Sequence, residues 1–263
     1  MVAVKEELAA RLAELRQKNP HAYPRDYAAL LGTTEAELTP VFYPERAFEL
    51  LDIEATFTVL AQLPRVKLMA RTAFAVFELF TSVDDGREAG ALVLKSDSCF
   101  VALNTAALGR VYFLAPAAEK EKAAFLVFDK NGAAALKIYI EPDGFDAALL
   151  KMPAARVTGA DVVALLEGVR AGSVPMTVDT PRRLIEAAAA QRLPLGFELS
   201  TDAIAVYMKH TPVKIADARG WFNILDENFN LHLKEEAILN IETGAAMRLI
   251  GEAGETIKLW SLT

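Results

Sequence analysis

The chain is poor in the residues from which reactive and metal sites are usually built. Its 263 residues include one cysteine, Cys99, and three histidines, His21, His210 and His232. A lone cysteine excludes an internal disulfide and suits a reducing compartment. None of the histidines has helical or hairpin spacing to another, so no histidine metal site is written in the sequence. A Gly-x-Ser-x-Gly elbow, a Walker loop and a Cys-x-x-Cys pair are all missing. Long apolar runs are missing too, and none approaches the roughly 18 residues of a membrane span. The opening "MVAVKEELAARLAELRQKNP" carries glutamates where a signal peptide needs an apolar core. Positive charge is in deficit, 28 Lys and Arg against 35 Asp and Glu for a net −7. That balance argues against nucleic acid as a partner, because phosphate binding needs concentrated cations. The expectation is a soluble cytoplasmic protein with no membrane partner.

What is present is a large apolar fraction, 53%, with 24% charged residues, enough for one large packed domain or two ordinary ones. The chain also repeats itself. "LPRVKLMARTAFAVFELFTSV" from Leu63 matches "LPLGFELSTDAIAVYMKHTPV" from Leu193 without a gap, sharing Leu-Pro, Ala-x-Ala-Val and a closing Thr-x-Val. At the same offset of 130, Gly90 meets Gly220, Val101 meets Leu231 and Ala107 meets Ala237. Further on, "GAAALKIY" from Gly132 is echoed by "GETIKLW" from Gly254. Such regularity marks a tandem duplication.

Each unit reads as a helix followed by short alternating strands. The helix is "ERAFELLDIEATFTVLAQ" in the first unit and "TPRRLIEAAAAQR" in the second, where Thr180 is the expected N-cap and Pro181 the first helical residue. "DDGREAG" and "DARG" read as turns, and Gly132 and Gly254 as hairpin turns. A helical pair precedes the first unit, and a helix-bearing linker joins the two. The fold class expected is α+β, a duplicated unit with helices packed on a large antiparallel sheet in each copy. The division expected is 1–172 for the helical pair plus the first unit and 173–263 for the second, with the boundary near Gly172.

Individual residues offer little chemistry. His232 alternates away from Phe229, Leu231 and Leu233 in "FNLHL", and His210 precedes a proline-marked turn. Each reads as a ligand or orienting group, or as an ordinary hydrogen-bonded histidine. Asp226 and Glu227 read as turn formers, Glu235 and Glu236 as solvated charges, Trp221 and Trp260 as packing residues. "DYAALLGTTEAEL" has the rhythm of a DNA-reading helix pair, with Thr34 to Glu37 as a capping box. Its second helix is acidic where a reader needs Arg, Lys, Asn or Gln, so it reads as a packing hairpin.

Four stretches carry a family resemblance. "GWFNILDENFNLHLKEEAI" (Gly220–Ile238), "KHTPV" from Lys209, "RDYAALLGTTEAEL" from Arg25 and "LVFDKNGAAALKIYI" from Leu126 resemble, in order, segments of the HemS/ChuS (ChuX-like) family of cytoplasmic haem-utilisation proteins. The resemblance implies two similar halves of sheet and helix. It also implies haem (haemin) binding for trafficking or utilisation, with degradation in several members, and exchange with a haem donor or acceptor protein. The departures are as specific. Leu136 stands where the family carries its axial histidine, and leucine has no lone pair to give iron. Ala133 and Ala106 fall where some members have a nearby histidine and a distal arginine, and "KLWSLT" replaces a propionate-holding segment. Under the resemblance the remaining candidate haem contacts are His210, His232 and Tyr139 for iron, and Arg110, Lys137 and Lys258 for propionates. The alternatives are a divergent binding or regulatory module without haem chemistry and, less favoured, a DNA-binding regulator.

Overall fold

The computed structural model describes residues 2–50, 65–81, 84–88, 91–118, 121–140, 173–174 and 179–262. Three helices open the chain, α1 (Val2–Lys18), α2 (Pro24–Leu31) and α3 (Glu35–Phe42). Strands follow as β1 (Ala47–Leu50), β2 (Val66–Arg71), β3 (Ala75–Thr81), β4 (Asp84–Glu88), β5 (Ala91–Lys95), β6 (Cys99–Leu103), β7 (Leu108–Leu114), β8 (Ala123–Asp129) and β9 (Ala134–Ile140). After β10 (Ser173–Val174) and helix α4 (Pro181–Gln191) come β11 (Leu195–Ser200), β12 (Ile204–His210), β13 (Ile215–Ala218), β14 (Trp221–Leu225) and β15 (Phe229–Leu233). The chain closes with β16 (Asn240–Glu242), β17 (Met247–Ile250) and β18 (Thr256–Leu262). The fold is α+β, as the alternation implies.

Among the described residues all strand pairings are antiparallel and fall into two sheets. One runs β1-β7-β8-β9-β2-β3-β15-β14-β13, the other β16-β17-β18-β11-β12-β6-β5-β4, with β10 on the flank of β18. The duplication is visible in this order, because β7-β8-β9-β2-β3 in one sheet mirrors β16-β17-β18-β11-β12 in the other. Each block is then extended by three strands from the opposite half. β15 joins β3 with Leu233 beside Ala75, and β6 joins β12 with Leu103 beside Ile204. Neither sheet is therefore the product of one repeat alone.

Local bonds refine the repeat register. Thr72 N–H donates to the Ala75 carbonyl and Thr201 N–H to that of Ile204, so these turns correspond at an offset of 129. The offset is 130 at the 3-10 turns Thr105–Ala107 and Glu235–Ala237. The gapless comparison is thus one residue out across β2 and β3. Past the 3-10 turns the second copy shortens, with β16 and β17 of 3 and 4 residues against 7 each for β7 and β8.

Alternating side chains from both sheets meet in one apolar core, in which Phe229 of the first sheet touches Phe197 of the second at 5.0 Å between ring centres. Leu136, Ile138 and Ile140 point into it while Lys137 and Tyr139 face outward, the alternation expected of β9. The other face of the first sheet carries Tyr112, Leu114, Ala124, Leu126 and Phe128, on which Ala36 of α3 packs. Glu35, Ala36, Leu38 and Thr39 of α3 are all buried, so the face a DNA reader would present is used for packing.

Helix starts follow the sequence signals. Thr180 accepts from Arg183 N–H, with Pro181 opening α4. Thr34 accepts from Glu37 N–H, and the Glu37 carboxylate accepts Thr34 N–H in return. Gly132, at φ 78°, turns beneath this cap, and a Cβ there would lie 2.5 Å from Thr34. Thr34→Ala is expected to cost about 1 kcal/mol, read as a lower urea midpoint at unchanged slope.

Three expectations are corrected. The stretch from Glu45 does not begin a helix. Glu45 takes a left-handed φ of 64°, and Ala47–Leu50 form β1 along the edge of β7. The remainder of that expected helix, the linker helix and the boundary at Gly172 lie outside the described residues. "DDGREAG" is not all turn, because Asp84–Glu88 form β4, an outermost strand, where charge and glycine are tolerated. Glu235 is not simply solvated. It pairs with Arg182 of α4 at 2.7 Å, and Arg182 also holds Asp217 and covers the Phe222 ring, fastening α4 to β13 and β14. Of "DARG", Arg219 and Gly220 make the turn, both left-handed, while Asp217 and Ala218 belong to β13 and pair with β14.

Candidate functional site

Apart from His210, the sequence candidates divide between two places. Four of them stand on the outward face of the first sheet. Lys137 lies across from Met69, Glu78 and Asn230 along one row of paired strands, and Tyr139 lies beside Lys67. Lys137 is committed to α3: its Nζ is 2.7 Å from Glu35 Oε1, and Arg71 grips the other oxygen of the same carboxylate. Burial draws the pKa of both Lys137 and Arg71 downward, partly offset by Glu35. Tyr139 is half-buried against Lys67, whose ammonium lies 5.6 Å from its ring, and burial raises its phenol pKa. Arg110, on exposed β7 backbone beside β1, reaches Glu49 and the Tyr112 hydroxyl.

His232 belongs to the same face and is held in one tautomer. The Asn223 amide donates to the carbonyls of Ala216 and Trp221, so its oxygen faces His232 Nδ1 as an acceptor at 2.7 Å. Nδ1 therefore carries the proton, and Nε2 faces Glu78 at 4.0 Å. Burial pushes the Glu78 carboxyl up, but the neighbouring His232 ring, the Lys67 ammonium and the Asn230 amide outweigh it and bring the pKa to about 2. His210 sits apart at the end of β12. Its Nε2 is 2.7 Å from Asp226, whose carboxylate also accepts Val213 and Lys214 N–H. Asp226 is thus the turn former the sequence indicates, with His210 as part of the turn. His21 is exposed between α1 and α2.

Leu136 is fully buried in the core between the sheets, beside Ala70 and Val127. At the position to which the resemblance assigns an axial ligand, the side chain is packing. Trp260, read as a packing residue, is buried and stacked on Tyr207 at 5.7 Å.

Lys258 leads to the second place. At one end of the two sheets, turns from both halves surround an open cleft of about 1150 Å³, larger than the ~300–1,000 Å³ usual for ligand pockets. The β2–β3 turn supplies Thr72, the β8–β9 hairpin Lys130 and Asn131, the β11–β12 turn Thr201, and β17 and β18 Arg248 and Lys258. Ala107, next to the Ala106 position, lies in the same wall.

The electrostatics of this cleft are set by which carboxylates are already used. Asp129 accepts Asn131 and Ala133 N–H, and Glu255 accepts Ala73 and Ala253 N–H. Both of these acids are consumed in tying their turns, while the third, Asp202, stands exposed on the β11–β12 turn. Lys258 Nζ is 3.0 Å from the fully buried Glu198. Arg248 meets Glu242 through Nη1 in an exposed pair of the kind worth ~0–1 kcal/mol. The Lys130 ammonium has no ion-pair partner among the described residues. Thr105, between two lining positions, carries a buried hydroxyl with no hydrogen-bond partner among the described residues. The rim thus presents the cations Lys130 and Arg248 and several hydroxyls, with Asp202 as its one uncommitted carboxylate among the described residues. Lys130 and Arg248 escape sequence reasoning, since surface hairpin cations are common. Their one signal is closeness to the paired turn glycines Gly132 and Gly254.

Among the described residues no group of His, Cys, Asp and Glu is placed to hold a metal ion, and no helix is long and apolar enough to cross a membrane.

No family model matches the chain, and neither does any curated protein. Solved structures do. The chain is similar to the heme degrading enzyme ChuS of Escherichia coli O157:H7, at 19% identity and a TM-score of 0.77 over 98% of this chain and 94% of that one. It is equally similar to holo-PhuS, a heme-binding protein from Pseudomonas aeruginosa, at 20% identity, TM-score 0.77 and the same coverage. A second structure of ChuS, described as an E. coli heme oxygenase, gives 18% identity and a TM-score of 0.74 over 97% of this chain and 94% of that one. The chain has the fold of these proteins over nearly its whole length.

Proposed function

We propose that this protein binds haem or a related tetrapyrrole inside the cell, for trafficking or utilisation, receiving it from one protein and passing it to another. One observation carries the reading: the match to ChuS and PhuS takes in both halves of the chain and almost all of theirs. The former is described as degrading heme and the latter as binding it. The cleft at the end of the sheets supplies the matching geometry, being roomy, open and edged by Lys130, Arg248 and Lys258. A porphyrin's two carboxylates need such cations. The single buried cysteine suits the reducing interior of a cell.

Haemin titration followed by absorbance tests the reading. The expected result is a saturable change in the Soret band at a fixed stoichiometry. Weak binding that never saturates would overturn it.

A further inference from the structure

The inference rests on the tetrapyrrole reading and concerns how the ligand is held. All three histidines, the cysteine and all six tyrosines lie among the described residues, so each can be placed. None lines the cleft. His210 Nε2 is engaged by Asp226, and His232 is fixed by Asn223 with Nε2 toward Glu78, on a different face of the molecule. Cys99 is buried under the sheet, and burial pushes its thiol pKa up to about 12, which keeps it protonated. The Leu136 side chain is in the core and not on the cleft wall. Among the described residues the cleft offers no imidazole, thiol, thioether or phenol, and that donor set does not fit an iron centre. It does fit oxyanions. Arg248 has N–H donors beyond the one used on Glu242, Lys130 has three, and the hydroxyls of Thr201 and Thr256 stand in the same wall.

We propose that the tetrapyrrole is recognised through its carboxylates by Lys130 and Arg248, with its metal unligated by the protein, so that the metal-free porphyrin binds as well as the iron form. Lys258 contributes less, because its ammonium is already shared with Glu198. Affinity then follows the charge of the cleft rim and is indifferent to the metal.

The full chain is titrated in parallel with haemin and with metal-free protoporphyrin IX, read by absorbance and by quenching of Trp221 and Trp260. Dissociation constants within about threefold of each other are expected, with no bands of nitrogen- or thiolate-ligated iron in bound haemin. Lys130→Glu with Arg248→Glu should weaken both ligands together by roughly tenfold or more. Both residues are exposed, and an unchanged thermal melt confirms that the variant is folded. Haemin binding more than about thirtyfold tighter than the free porphyrin would overturn the inference and leave the tetrapyrrole reading standing. Equal affinities that ignore the charge reversal would overturn the assignment to these two residues. If neither ligand saturates, the reading itself fails and the inference with it.

Discussion

Glu35→Gln is expected to lower the unfolding free energy by about 3 kcal/mol. The carboxylate bridges Lys137 and Arg71, and the three side chains are only 6%, 12% and 16% exposed. Removing the negative charge leaves two cations facing each other in a space where burial already disfavours both charged forms. The loss belongs near the lower end of the range for a broken buried pair, since both cations keep a margin of exposure. Adding Lys137→Met to Glu35→Gln should recover part of it, because an apolar side chain has no charge to desolvate. Urea unfolding of the two variants measures both steps. A loss below about 0.5 kcal/mol for Glu35→Gln would show the triad to be solvated and worth no more than a surface pair. The triad joins α3 to β2 and β9, so the same variant should loosen the seating of α1, α2 and α3. Faster amide exchange in α3 would report that directly.

Phe229→Ala should cost about 3–5 kcal/mol. The ring is fully buried and meets Phe77 edge-on at 5.7 Å, Phe197 at 5.0 Å and the His210 ring at 5.2 Å. Its strand, β15, belongs to the second repeat but pairs with β3 of the first, while Phe197 lies in the other sheet. One truncation therefore opens a cavity at the joint between repeats and between sheets, and forfeits aromatic contacts worth ~0.5–1.5 kcal/mol each beyond their area. Phe229→Leu keeps most of the volume and should lose less. If Phe229→Ala unfolds with a midpoint close to that of the parent chain, the joint can collapse onto the space.

Much of this was legible from local pattern. The capping box at Thr34 and Glu37, the N-cap at Thr180, the turn glycines at 132, 220 and 254, and the inward set Leu136, Ile138, Ile140 all follow from neighbours a few residues apart. Where the reading went astray, a distant partner decided. Glu45–Leu50 has a helix-like composition, yet β7 offers an edge and Ala47–Leu50 pair with it. Glu235 looks solvated until α4 brings Arg182 to it from 53 residues away. In the candidate site, Lys258 was singled out in the sequence. Lys130 and Arg248 were not, because only folded turns from both halves bring them to one cleft.

By itself the sequence determined the α+β class, the duplication and the inward faces of β9 and β15. Tertiary structure alone decided which strands pair across the repeats. Because the two copies carry the same alternation, β6 and β15 present equivalent apolar faces, and either would satisfy β3 by pattern. The folded chain puts β15 against β3 and β6 against β12. That exchange also decides the site, since it draws turns from both halves around one cleft and leaves Leu136 sealed in the core beside it.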